Sequence, residues 1–148
     1  MTQGGYQEID HTADTGLRIT GETLEELFLQ AAEGMFALIR PENNPLTEEE
    51  SKKSKFRNRK ISLTSPDRES LLKDWLAELL YHHSTDHLYF TGFTIHSIGE
   101  NHLDAVATGV PITDETVSAF MDIKAVTYHG LEVRETDDGY EATVIFDI

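Results

Sequence analysis

The chain contains 148 residues, with 12 Lys and Arg against 27 Asp and Glu, and carries a formal net charge of −15. This length suits one domain covering residues 1–148, and the absence of cysteine excludes cysteine-ligated zinc and iron–sulfur sites, cysteine nucleophiles and thiol redox chemistry. The longest apolar run, Met35 to Ile39, is far shorter than the roughly 20 residues that span a bilayer, and the N-terminus resembles no secretory signal, so we expect a cytoplasmic protein.

The first predicted elements are a short strand and an amphipathic helix. Leu17 to Ile19 alternates between apolar and polar residues, which is typical of a strand with one buried face. From Thr23 to Ile39 apolar residues recur every three or four positions, as in a helix that packs one face against a core. Thr23 followed by Glu26 is a capping box that predicts the start of this helix, and Pro41 predicts its end. The apolar stripe consists of Leu24, Leu27, Phe28, Ala31, Met35 and Leu38.

A second helix is predicted in the middle of the chain, after an irregular segment and a strand. Pro41 to Lys55 is rich in proline, asparagine and charged residues and is the weakest candidate for regular structure. Ile61 to Leu63 alternates as a strand does. The helix follows, with Ser65 as the predicted N-cap, Pro66 as the first helical residue and an end near Ser84. Its apolar stripe consists of Leu71, Leu72, Trp75, Leu76, Leu79 and Leu80.

The rest of the chain is predicted to form paired strands. Residues 89–98 and 102–110 flank a glycine-containing turn and are typical of a hairpin. Residues 124–135, interrupted near Gly130, and residues 140–146 form another predicted pair, whereas residues 110–123 look irregular. Because hairpins and not helical crossovers join these strands, the sheet should be largely antiparallel. The expected fold is α+β, with two helices packed on one side of a largely antiparallel sheet.

Residues that could bind a cation occur at both ends of the chain. The segment from Asp10 to Asp14 holds two carboxylates and an imidazole beside the first predicted strand. The last strand ends in Asp147 and Ile148, where a side-chain carboxylate adjoins the α-carboxylate. If this strand pairs with the strand that follows Asp14, the carboxylates of these residues converge, and a hard divalent cation would offset their repulsion. Alternatively, the aspartates bond to backbone N–H groups in a turn, and the chain end is simply hydrated.

The presence of other charged or titratable residues has both a possible functional and a possible structural explanation. Lys124 and His129 lie at the two ends of a predicted strand, where they could contact a phosphate or a partner's carboxylates, or could be surface residues. His83 and His87 have a spacing that could bind zinc or nickel, but the helix dipole also favours histidine near a helix C-terminus. The basic segment from Lys52 to Lys60 is explained by a solvated loop and edge strand. Because the whole chain is acidic, a cation or a protein partner is favoured over RNA.

Blocks along nearly the whole chain resemble the archease family. They occur in the family's order, beginning with Tyr6 to Asp14. The others are the phrase His11-Thr12-Ala13-Asp14 with Gly16, the helix start Thr23-Leu24-Glu25-Glu26, the helix from Leu71 to Tyr81, Lys124-Ala125-Val126-Thr127-Tyr128-His129, and Phe146-Asp147-Ile148.

The resemblance implies a fold, a role and a site. Archeases are small cytoplasmic accessory proteins, with an α+β fold related to the strand-helix-strand-strand module, that activate the RNA-splicing ligase RtcB. That ligase joins tRNA halves or repairs broken RNA with GTP and divalent metal. The family's metal ligands correspond here to Asp14, Asp147 and the carboxylate of Ile148, with calcium, magnesium or manganese as the ion. Lys124 corresponds to a further functional residue, so Lys124 and the neighbouring His129 are candidate contacts with the ligase.

The expected function is therefore activation of an RNA ligase by a protein that has no catalytic residues of its own. Direct RNA binding and contact with a membrane are not expected. Two other classes remain open, namely a metal-dependent phosphoesterase that uses the same carboxylates and a general protein chaperone with an exposed apolar surface. The sequence contains no phosphate-binding glycine loop, no GxSxG elbow and no HExxH helix.

Overall fold

The computed structural model describes residues 4–10, 14–40, 46–47, 50, 52 and 55–148. Within these ranges the chain forms three helices and eight strands. The elements are β1 (Gly5–Asp10), β2 (Asp14–Gly21), α1 (Leu24–Ile39), β3 (Arg57–Thr64), α2 (Arg68–Asp86), β4 (Leu88–Ile98), β5 (His102–Pro111), α3 (Asp114–Ser118), β6 (Ala125–Val126), β7 (Glu132–Thr136) and β8 (Gly139–Asp147).

The strands form two antiparallel sheets. In the larger sheet the strand order is β1-β2-β8-β6, and β7 also pairs with β8. In the smaller sheet β5 lies between β3 and β4. The predicted α+β class and the antiparallel pairing are confirmed, but the strands are divided between two sheets. Among the described strands, β3, β4 and β5 pair with one another, whereas β8 pairs with the N-terminal β2 and also with β6 and β7.

The two long helices, α1 and α2, and both sheets contribute to one hydrophobic cluster. The start of α1 is as predicted, because the Thr23 hydroxyl accepts the Glu26 N–H at 3.1 Å. The two long helices are joined in the interior by a hydrogen bond from Trp75 Nε1 to the carbonyl of Phe28, at 3.0 Å, with Trp75 fully buried. In the described ranges, no helix combines the length and the apolar character that crossing a bilayer requires.

The predicted start of α2 at Ser65 is wrong. Asp67 is the N-cap, and its carboxylate accepts the N–H of Ser70 at 2.7 Å. The Ser65 hydroxyl instead donates to Asp74 at 2.7 Å, and the Ser65 N–H donates to the Asn101 carbonyl at 2.8 Å. Ser65 is therefore committed to contacts between elements, and the neighbouring carboxylate takes the capping role.

Three further differences separate the predicted and the observed elements. β1 was not predicted, and a short helix, α3, lies within residues 110–123, which were predicted to be irregular. The predicted strand over residues 124–135 is divided into β6 and β7. Gly130 lies between them at φ +64°, a conformation that favours glycine, so the strand is interrupted where the sequence predicts. Most of the predicted irregular segment from Pro41 to Lys55 lies outside the described residues.

Candidate metal and partner-contact site

The ends of β2 and β8 place Asp14 directly opposite Asp147. In the same register Thr15 pairs with Phe146, and both of these residues are buried. Because side chains alternate between the two faces of a strand, Asp14 and Asp147 share the face that points away from this buried layer. Directly opposed residues have Cβ atoms about 4.5–5.5 Å apart, so one cation could contact both carboxylates. The pairing on which the predicted convergence depends is therefore present.

The close strand pairing beside this aspartate pair requires a glycine. Gly16 pairs with Ile145, on the same face as the two aspartates. A Cβ atom on Gly16 would lie 2.8 Å from Ile145 Cδ1 and 2.9 Å from the Val144 carbonyl oxygen, which is too close for a real side chain. Sequence reasoning missed this supporting contact, because nothing in the local sequence reveals which residue lies opposite a glycine.

On its other side, the end of β8 is held by β6. Ala125 pairs with Asp147, and the Lys124 N–H donates to the Asp147 carbonyl at 2.8 Å. The backbone of Asp147 is thus bonded to a neighbouring segment on each side. Ile148 is 39% exposed, so the end of the strand lies at the surface, where a partner can reach it.

The structure places the two predicted contact residues differently with respect to the aspartate pair. Lys124 is exposed and is joined to Asp147 through its backbone. His129 is also exposed, but it lies beyond β6, and its N–H donates to the Thr127 hydroxyl at 3.3 Å. The strand predicted over residues 124–129 is regular only at Ala125–Val126. The backbone of Lys124 is therefore adjacent to Asp147, whereas His129 lies in the following turn.

A further group of charged side chains lies at the opposite end of the same sheet face. Glu141 forms ion pairs with Arg18, at 2.8 Å, and with Arg134. The hydrogen bond from Arg18, followed by that from Arg134, lowers the pKa of the Glu141 carboxyl. At the other end of β8, Asp14 and Asp147 bring two like charges directly opposite each other, an arrangement that destabilises a strand pair. A divalent cation is a suitable compensation there.

The donor atoms of the predicted site fit a hard cation. Asp14, Asp147 and the α-carboxylate of Ile148 offer oxygen ligands, which calcium, magnesium and manganese prefer. Only two of these ligands are side chains, and within the described ranges no group of three or more His, Asp or Glu side chains is arranged to hold a metal ion. The predicted cluster from Asp10 to Asp14 also includes residues 11–13, which lie outside the described part of the chain.

Comparisons with known proteins agree with this fold. The Archease protein family model matches residues 6–148. The protein archease of Methanosarcina acetivorans is 41% identical over 147 residues, which cover 97% of this chain and 95% of that protein. The protein archease of Methanothermobacter thermautotrophicus is 36% identical over 148 residues, which cover 97% of this chain and 99% of that protein.

Solved structures of other proteins share this fold over nearly the whole chain. The solution structure of a Methanobacterium thermoautotrophicum protein has a TM-score of 0.69 and 32% identity, and the match covers 97% of this chain and 99% of that one. A crystal structure from Thermotoga maritima, described as an archease and possible chaperone, has a TM-score of 0.63 with 96% of each chain covered. At 21% identity the second likeness supports the fold alone. From the family match over nearly its whole length and from these relatives, the chain belongs to the archease family.

Proposed function

We propose that this chain activates an RtcB-type RNA ligase through a divalent cation held by Asp14, Asp147 and the carboxylate of Ile148. The observation that carries the proposal is the register that puts Asp14 opposite Asp147 on the exposed end of β8. The role in RNA joining is what the resemblance to archeases implies. Acting in the cytoplasm, the chain would promote the guanylylation and repeated turnover of the ligase in tRNA splicing or RNA repair.

The residues of the site have separate tasks in this proposal. Asp14 and Asp147 supply opposed carboxylates from neighbouring strands, and Ile148 supplies the third from the chain end. A bound calcium, magnesium or manganese ion would neutralise these carboxylates and offer remaining coordination positions to oxygen ligands. Lys124 is held beside Asp147 by its own N–H, which leaves its exposed ammonium to contact the ligase or its nucleotide. His129 contributes a further contact from the adjoining turn.

In this role the chain is an accessory protein and not an enzyme. Its formal charge of −15 disfavours direct RNA binding, since like charges repel, and favours cations and a protein partner. A phosphoesterase could use the same carboxylates to activate water, and a general chaperone would need a large exposed apolar surface. The exposed large apolar side chains come from separate segments of the chain. Among the residues that the structure describes, they are Tyr6, Phe56, Tyr81, Tyr128 and Ile148.

The proposal is tested by RNA joining with purified components. Broken RNA is incubated with an RtcB-type ligase alone, with this chain alone and with both. We expect faster, repeated turnover only when both are present, and a loss of about tenfold or more with Asp147→Asn. Asp138→Asn, which removes an exposed carboxylate from a turn, should activate as the wild type does.

The other outcomes identify the alternatives. RNA processing by this chain alone, at a rate that the ligase does not change, would replace the activator with a phosphoesterase. Prevention of aggregation of unrelated proteins, with no effect on the ligase, would replace it with a general chaperone.

Lys124 is tested separately from the cation. Lys124→Ala should weaken activation of the ligase while divalent-ion affinity stays within about twofold of wild type, because the metal ligands are intact. Lys60→Ala removes an exposed lysine from β3 in the other sheet and serves as the matched control. Unchanged activation with Lys124→Ala would remove this lysine from the contact surface.

A further inference from the structure

A cleft with a volume of about 610 Å³ lies between α1, β1 and β4. None of the proposed metal ligands lines it. The residues that line it include Tyr6 of β1, Ala37 of α1, the C-cap residue Arg40, and Thr91 and Phe93 of β4. This volume is within the range of small-ligand pockets in proteins, about 300–1,000 Å³.

The interior of the cleft is a rigid aromatic cluster. The ring of Phe36, which is 2% exposed, makes edge-to-face contacts with Tyr89 and Phe90, each at 5.5 Å between centroids. Phe93 lies 5.9 Å from the same ring. The Tyr89 hydroxyl donates to the Phe36 carbonyl at 2.8 Å, which fixes the orientation of the tyrosine ring. These contacts hold the four rings in place, and Phe93 is the one of them that stays partly exposed.

Arg40 places a cation beside this aromatic cluster. The guanidinium carbon of Arg40 lies 5.0 Å from the centroid of the Tyr89 ring. The backbone N–H of Arg40 donates to the Phe36 carbonyl at 3.1 Å. The Nε donor of Arg40 is buried and has no hydrogen-bond acceptor among the residues that the structure describes. A buried donor without an acceptor is unfavourable, and a guanidinium pairs with carboxylates through two parallel hydrogen bonds.

We propose that this cleft binds an organic monoanion in which a carboxylate adjoins an apolar or aromatic group. The carboxylate pairs with the guanidinium of Arg40, and the apolar group packs on the partly exposed Phe93. Glu33 also lines the cleft, so a single negative charge is favoured over a phosphate dianion, which this carboxylate would repel. The ligand chemistry is the same in a small free acid and in the C-terminal residue of a peptide. The proposal requires neither the cation site nor the ligase.

The test is a titration of the full chain followed by the NMR amide spectrum. The probes are phenylacetate and an acetylated Ala-Phe dipeptide with a free carboxylate, each compared with its amide. We expect saturable shifts at the C-terminal end of α1 and in β1 and β4, with binding about tenfold or more weaker for the amides. The tighter of the two acids identifies whether a free molecule or a chain end is the better source.

Two variants and a control keep the result interpretable. Arg40→Gln should weaken phenylacetate binding about tenfold or more, and Arg57→Gln, which removes an exposed arginine of β3, should not. Thr91→Trp leaves Arg40 intact and fills the cleft from β4, so it should also abolish binding. The proposal is overturned if neither acid gives saturable shifts, if the amides bind equally well, or if both variants bind as the wild type does.

Discussion

His83 is buried in the hydrophobic core. It is 8% exposed, its ring stacks on Phe120 at 6.2 Å, and its Nδ1 lies 2.7 Å from the Leu88 carbonyl oxygen. Burial lowers the pKa of His83, the Leu88 carbonyl partly opposes this effect, and the neighbouring His87 lowers the pKa further. These contacts explain His83 as a core residue, which differs both from the zinc or nickel ligand that its spacing from His87 allows and from a charged histidine favoured by the helix dipole.

The lowered pKa of His83 predicts a pH dependence of stability. As the pH falls below about 6.5, the unfolded histidine binds a proton before the folded one does, so the free energy of unfolding falls. The slope from one proton is at most about 1.4 kcal/mol per pH unit. His83→Phe should reduce the slope between about pH 6.5 and 5.5 in urea unfolding, whereas the exposed His96→Gln should leave it unchanged. An equal slope in His83→Phe and the wild type would assign the effect to other groups.

Thr15 carries a buried hydroxyl beside the aspartate pair. The residue is 4% exposed, and its Oγ1 has no hydrogen-bond partner in the described part of the chain. Thr15→Val should therefore raise the free energy of unfolding by about 1 kcal/mol, because an unsatisfied polar group is removed at nearly constant shape. The control is Thr127→Val, which should lower it because the Thr127 hydroxyl donates to the Ile145 carbonyl at 2.9 Å. A loss of stability with Thr15→Val would show that the hydroxyl has a partner in solution.

At the scale of elements, the side chain of Glu50, which precedes β3 in the chain, forms hydrogen bonds that connect its segment with α3. The residue is 3% exposed, and its carboxylate accepts the N–H groups of Thr47 and Thr113 at 3.0 and 2.9 Å and the Thr116 hydroxyl at 3.1 Å. Burial alone raises the pKa of Glu50, but these hydrogen bonds together lower it below its usual value. A short helix such as α3 has little stability of its own, so this carboxylate is a main constraint on its position.

Glu50→Gln should lower the free energy of unfolding by about 1–3 kcal/mol, because an amide nitrogen cannot accept the hydrogen bonds that one carboxylate oxygen accepts. Amide hydrogen exchange at Thr113 should become faster in the variant. The control is Glu115→Gln, which changes an exposed glutamate of α3 itself. Equal losses in the two variants would show that Glu50 contributes no more than surface charge.

The elements that sequence could predict are those with local signals. The stripe and the Thr23 cap of α1 lie within the helix itself, and the β4–β5 hairpin contains its own turn. The start of α2 was misplaced because Ser65 and Asp67 can both cap a helix, and only contacts with Asp74 and Asn101 decide between them. Residues 5–10 were missed because their strand pairing depends on β2 and not on an apolar pattern.

At the scale of the whole molecule, the candidate site joins β2 and β8, two strands that are far apart in the sequence. Sequence could name Asp14, Asp147 and Ile148 because short polar motifs carry the family resemblance. It could not establish that Asp14 lies opposite Asp147, because register depends on packing across the strands, including the contact of Gly16 with Ile145. The cleft at Arg40 gave no sequence signal, since its walls come from three separate elements.

The central claim is that the carboxylates at the end of β8 bind one divalent cation. The most direct measurement is calorimetric titration of the purified chain with calcium, with magnesium and manganese in parallel. We expect one site in the wild type and a loss of affinity of about tenfold or more in Asp14→Asn and in Asp147→Asn, with each variant still folded. A short Gly-Ser extension after Ile148, which converts its carboxylate to an amide, should also weaken binding, and Asp138→Asn should not. Wild-type affinity in folded Asp14→Asn and Asp147→Asn would contradict the account.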